Sequence, residues 1–365
     1  MIESPSALTS GARCARERQA SLLRWVLAST LLVAAGGCGT SAPAPAVKAP
    51  AEEIVWPKPP DPARVRYVQS VSGPRDWGIE KSWLGRMADR LTSRSEEHLV
   101  RPTGVAVHGR VLYVADPGDR AVWILDAEDN RFSRVHEADD QELAAPVAVA
   151  TRPDGSVYVA DSVLKRVFLF SRAGRWIRVA AQEGLEQPTG VAYDAANDRL
   201  FVADSAAHRI VAFDAAGRVI GSRGESGGEI GEFNHPTHLS LDGSGTLLVT
   251  DALNFRIQAI GSDGRFLWSL GRHGDGSGDL AAPKGVASDS DGHIYVADAL
   301  FDVLQIFDRD GTFLLAFGGH GEKPGQFWLP NGIFIDPKNR IYVADAYNRR
   351  VQVFEEIAAQ KESTP

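Results

Sequence analysis

The sequence predicts an all-β protein, a six-bladed β-propeller of four-stranded antiparallel blades closed by an N-terminal strand. Three observations carry that expectation. An apolar-Val-Ala-Asp marker occurs six times, at Tyr113–Asp116, Tyr158–Asp161, Phe201–Asp204, Leu248–Asp251 (with Thr250 for alanine), Tyr295–Asp298 and Tyr342–Asp345. Its aspartates are spaced 45, 43, 47, 47 and 47 residues apart. A proline precedes each aspartate by 14 to 16 residues, at Pro102, Pro146, Pro188, Pro236, Pro283 and Pro330. Self-similarity at such a period, with four short strands per unit, is the sequence signature of propeller blades.

Composition agrees and narrows the function. Of 365 residues, 44% are hydrophobic and 24% charged, enough to bury a large core. The net charge of −8 argues against a basic face for nucleic acid. Two cysteines cannot build a disulfide framework or a thiolate zinc site.

Residues 1–37 read as a leader. Arg13, Arg16, Arg18 and Arg24 precede the uncharged run Trp25–Ala35, which ends in Gly36-Gly37-Cys38. Basic, apolar, then small is the order of a secretory signal, and the run is too short to span a bilayer. The cysteine after two glycines resembles a bacterial lipobox. That resemblance implies cleavage before Cys38 and its acylation. Gly39, where aspartate would mark inner-membrane retention, points to the outer membrane, facing the periplasm. The mature chain would carry 35 basic and 45 acidic residues, a net −10, and its sole cysteine would be lipidated.

Residues 38–62 are rich in proline and alanine and lack an apolar period, so they read as a semi-rigid tether. Residues 63–98 hold the spare strand Val65–Val71, then Lys81–Leu91, where Leu84, Met87 and Leu91 are spaced as on a short amphipathic helix. The propeller follows over 99–358. Strand one of each unit follows its proline, and a turn rich in Asp, Gly and Asn leads to strand two, which carries the marker. A short loop leads to strand three, and a second turn to strand four. The sixth unit ends after Val351–Phe354 without a fourth strand. Val65–Val71 would supply it and leave no bare edge.

These residues resemble the NHL-repeat family of six-bladed propellers. The pattern is a Pro-x-Gly lead-in, Tyr-Val-Ala-Asp, then a basic step such as Lys165-Arg166-Val167, His208-Arg209-Ile210 or Arg349-Arg350-Val351. The inter-blade loops Gly228–Phe233 and Gly321–Phe327 match as well. The resemblance covers about residues 99 to 356 and implies a sensor or scaffold domain that contacts protein.

The repeated aspartates read as structural, since a residue found in every blade meets a need of every blade. Four of them precede an arginine by five residues, giving the expected pairs Asp161–Arg166, Asp204–Arg209, Asp251–Arg256 and Asp345–Arg350. Function is expected where blades differ, on the face bearing the loops into strand one and between strands two and three. After the prolines stand Thr103, Val147, Thr189, Thr237, Lys284 and Asn331, then Gly104, Ala148, Gly190, His238, Gly285 and Gly332. His238 is the outlier in a column of small residues. His238, Lys284 and Asn331, with His208, Asn254, Tyr347 and Asn348 from neighbouring loops, form the candidate ligand site; the same loops also offer Asp119, Phe301 and Asp302. His235, His273, His293 and His320 lack ligand spacing, and no Ser-His-Asp or Cys-His pattern is present. No catalytic residue, metal or cofactor is expected. The sequence therefore reads as a membrane-tethered, non-enzymatic binding module of the bacterial cell envelope. Its partner would be an envelope protein, a peptide or a glycan, and not a nucleic acid. The alternative is a metal-dependent lyase or hydrolase with its site at the channel, where zinc would need a histidine cluster from several blades.

Overall fold

The computed structural model describes residues 53–80 and 97–357. The leader, Cys38, most of the tether and Lys81–Leu91 lie outside the described residues.

Six antiparallel sheets form the blades; in the first five the strands are hydrogen-bonded in chain order, and in the sixth the outer strands come from the N-terminus. Blade 1, for example, comprises Gly104–His108, Val111–Asp116, Ala121–Asp126 and Arg131–Val135. Strand one lies innermost, and the innermost strands of successive blades touch all the way round, blade 6 meeting blade 1. The Gly332 amide donates to the Thr103 carbonyl at 2.8 Å across that junction. Strand two is covered on both sides by neighbouring blades. That is why it reads as a continuous apolar run, buried throughout in Val111–Asp116, Val157–Asp161 and Ile294–Asp298. Outer strands such as Val219–Arg223 are largely exposed.

The ring closes as the sequence predicts. Val65–Val71 pairs antiparallel with Arg350–Glu356, from Val65 opposite Glu356 to Val71 opposite Val351. Both end valines are buried. The tether boundary moves, however. Val55–Trp56 adds a fifth strand to this sheet. The Trp56 ring lies 5.4 Å from Phe317 and 5.8 Å from Phe354, over Gly325. Gly325 has φ +78°, and a Cβ there would stand 2.5 Å from the indole, so the aromatic clasp requires a glycine. Residues 53–62, read as tether, thus begin inside the folded unit.

Register fixes the two faces. Pro146 and Arg166 both lie opposite Asp161, so the starts of strand one and the loops between strands two and three share one end, the loop face. The turns between strands one and two and between three and four share the other, the turn face.

Candidate functional site

The six marker aspartates are fully buried. Each accepts backbone amides from the segment leading into its blade. Asp116 takes Val100 and Arg101 at 2.6 and 2.9 Å; Asp298 takes Ala281 and Ala282 at 2.7 and 3.1 Å. Burial pushes the carboxyls of Asp116 and Asp345 up, and the amide bonds offset part of that. Arginine joins three of them, with Asp251–Arg256 and Asp345–Arg350 at 2.8 Å and Asp204–Arg209 at 3.3 Å. The fourth expected pair does not form. Asp161 is served by the amides of Ala144, Ala145, Val163 and Leu164, and Arg166 turns to Gln141 Oε1 at 3.0 Å. Gln141 belongs to a small hairpin, Glu137–Ala138 with Gln141–Glu142, found between blades 1 and 2.

The small-residue column is a packing requirement. A Cβ on Gly104 would stand 2.7 Å from the Val147 carbonyl, and one on Gly190 2.6 Å from that of Thr237. Neighbouring innermost strands approach too closely for a side chain pointing between them. His238 instead lines the central channel, a cavity of about 170 Å³ bordered by all six innermost strands. His238, on blade 4, shares that lining with Ile333 on blade 6. Burial pushes its pKa down to about 4, against the opposing hydrogen bond to Ile333, so the imidazole is neutral near pH 7. Lys284 and Asn331 stand half-buried at the starts of strand one in blades 5 and 6, one position nearer the loop face.

The loop residues divide. Asn254 donates to the Gly227 carbonyl at 2.8 Å and to Asp251 at 2.9 Å; Asn348 does the same with Gly321 and Asp345. Both amides hold inter-blade loops in place and are not free to meet a ligand. His208 lies with Nδ1 3.2 Å from the Phe233 carbonyl and its ring 4.5 Å from His235. Neither His208 nor His238 belongs to a group of three metal-ligating side chains among the described residues. The group that exists, Asp289, His293 and Glu356, is on the turn face. Asp289 there is already saturated by its own turn amides, His293 and Tyr295.

Tyr347 is half exposed and belongs to a cluster that the sequence reading missed. The residue before strand three is Arg120, Lys165, His208, Phe255, Asp302 and Arg349 in blades 1 to 6, all with positive φ. Asp302 is the lone acid. Its Oδ2 meets His320 Nδ1 at 2.8 Å, and its Oδ1 accepts the Leu329 amide at 2.7 Å. The His320 ring lies 5.7 Å from Trp328, which lies 5.7 Å from Tyr347. Three inter-blade loops align on the same bridge, at Ser226, His273 and His320. That alignment was the available signal.

One more column distinguishes this face. Two residues after the marker aspartate stand Gly118, Val163, Ala206, Leu253, Leu300 and Tyr347. The four large apolar ones are 63%, 51%, 66% and 50% exposed.

An NHL-repeat model matches residues 185–213, and a 6-bladed beta-propeller family model matches 283–356. No curated protein matches the chain. Among solved structures, a protein of unknown function from Bacteroides thetaiotaomicron is similar with TM-score 0.59 and 19% identity, over 80% of this chain and 76% of that one. Virginiamycin B lyase from Staphylococcus aureus is similar with TM-score 0.52 and 13% identity, over 71% and 96%. An auxiliary nutrient binding protein from Bacteroides thetaiotaomicron is similar with TM-score 0.54 and 14% identity, over 71% and 69%. At these identities the likeness is one of fold. The chain folds as a six-bladed β-propeller, and residues 185–213 match an NHL repeat.

Proposed function

We propose that this propeller is a binding module of the bacterial cell envelope, tethered through lipid on Cys38, that meets its partner with the loop face. One observation carries the reading: Val163, Leu253, Leu300 and Tyr347 are exposed at the same place in four blades. Scattered apolar surface residues need no explanation, but a column of them on one face marks an interaction surface. Among the polar residues of the same loops, the marker aspartates, Asn254 and Asn348 are spent on the fold. The partner is an envelope protein, peptide or glycan, and the net negative charge argues against nucleic acid.

Capture from the native envelope, with and without Leu253→Asp and Leu300→Asp, tests this. Loss of the captured partner in a variant that still melts like the parent is expected. Undiminished capture by both variants would move binding off this face. Cys38→Ala should release the protein from the membrane fraction; unchanged attachment removes the lipid anchor from the account.

A second reading is a lyase or hydrolase at the channel. It is favoured by His238, whose neutral imidazole is the form that acts as base or metal ligand. The likeness of fold to a lyase is consistent with it. A channel of about 170 Å³ takes a benzene-sized ring and not a drug-sized molecule. Stoichiometric metal in the purified protein, lost on His238→Ala, would favour this reading over the first.

A further inference from the structure

We infer that the blade 5–6 corner of the loop face is a saccharide subsite, with Trp328 and Tyr347 as stacking surface and His320, oriented by Asp302, as the hydroxyl partner. The inference rests on the loop face being the binding face and goes further in naming the chemistry of what binds.

The corner is built to be rigid. The Trp328 amide donates to Asp345 Oδ1 at 2.8 Å, and its carbonyl accepts the Tyr347 amide at 3.2 Å. The next amide, Leu329, is held by Asp302. On the other side, Gly319 donates to the Asp302 carbonyl at 2.8 Å, and Asn348 donates to the Gly321 carbonyl. His320 is therefore anchored on both sides. Yet the rings stay open, with Trp328 39% and Tyr347 50% exposed. Aromatic surface held in place on a fixed backbone loses little entropy on binding, which is what makes an anchor residue.

The polar group beside that surface is the His320 imidazole, held by Asp302. A carboxylate oxygen accepts only, so the hydrogen bond to Asp302 puts a proton on His320 Nδ1. In the neutral ring Nε2 then presents a lone pair. Asp302 is almost fully buried, with one oxygen committed to Leu329 and the other to His320, so it offers no free charge to a ligand. A pyranose suits both halves. Its C–H face lies on the indole or phenol, and a rim hydroxyl donates to Nε2. Blade 4 shows what is particular here: its counterpart pair is Phe255 stacked on His273 at 4.2 Å, so a ring stands where Asp302 holds His320.

The test is calorimetric titration of the full chain with three neutral tetrasaccharides, β-1,4-linked N-acetylglucosamine, β-1,4-linked glucose and α-1,4-linked glucose. At least one is expected to bind. Trp328→Ala should weaken it by roughly tenfold or more, as for an anchor residue. His320→Ala should weaken it roughly two- to tenfold, the worth of one hydrogen bond. Trp328→Phe, which keeps a ring, should retain part of the affinity and guards against misfolding of the alanine variant. No binding of any of the three at the solubility limit overturns the inference, as does binding that Trp328→Ala and Tyr347→Ala leave unchanged. If none binds while Trp328→Ala abolishes capture of an envelope protein, the saccharide class fails and the loop-face reading stands. If saccharide binding is lost in Trp328→Ala while envelope capture ignores Leu253→Asp and Leu300→Asp, the reverse holds.

Discussion

His238 on blade 4 and Ile333 on blade 6 both line the channel that the six innermost strands enclose. On blade 5, between those two blades, stands Gly285, where a Cβ would lie 2.5 Å from the Asn331 carbonyl and 2.7 Å from the Ile333 amide nitrogen.

This histidine gives a pH signature. Its folded pKa of about 4 lies below the unfolded value near 6.5, so between those values the unfolded state binds more protons. Stability should therefore be constant above about pH 6.5 and fall as the pH drops towards 4, by roughly 2–3 kcal/mol for this group. Denaturant titrations across that window, on the parent and His238→Asn, measure it. The variant should show the shallower slope, and equal slopes would contradict the burial of a neutral imidazole.

Ring closure is tested at Phe354. Its side chain is fully buried among Trp56, Tyr67, Phe317 and Phe327, where the closing strand meets blade 6 and blade 5. Phe354→Ala should cost about 3–5 kcal/mol by leaving a cavity. Removing residues 53–72 should lower the melting temperature further by opening the sheet edge. A truncated chain that melts like the parent would show that the N-terminal strands do not close the ring.

The arginines should separate by geometry. Arg256 bonds Asp251 and the carbonyls of Gly228, Glu229 and Glu232, and its side chain is only 12% exposed. Arg256→Ala would leave a buried carboxylate short of a partner, at a cost of about 3 kcal/mol or more. Arg166→Ala breaks one bond to Gln141 and should cost about 1 kcal/mol or less. Thermal melts of the two variants check this, and equal losses would mean that the missing Asp161–Arg166 pair forms in solution.

The blades were legible because the marker and the proline recur at one period, and each strand two is apolar on both faces. His238 was legible for the same reason, as the exception in a column. What escaped depends on contacts between repeats. Val55–Trp56 is two residues long in a proline-rich stretch, too short to carry a strand period. Asn254 and Asn348 have the chemistry of ligand donors, and their commitment shows only when the carbonyls of Gly227 and Gly321 come alongside. Arg166 is drawn off by a hairpin that, among the described residues, is present in one inter-blade connection. His320 looked isolated because its partner Asp302 is eighteen residues away in sequence.

The most direct test of the loop face is a photo-crosslinking amino acid placed at Leu300 and, separately, at Lys338 in a turn on the opposite face, each in the native envelope. Both positions are exposed, so accessibility does not separate them. The account predicts a discrete crosslinked product from position 300 and none from position 338. Crosslinking from 338 alone, or equally from both, would contradict it.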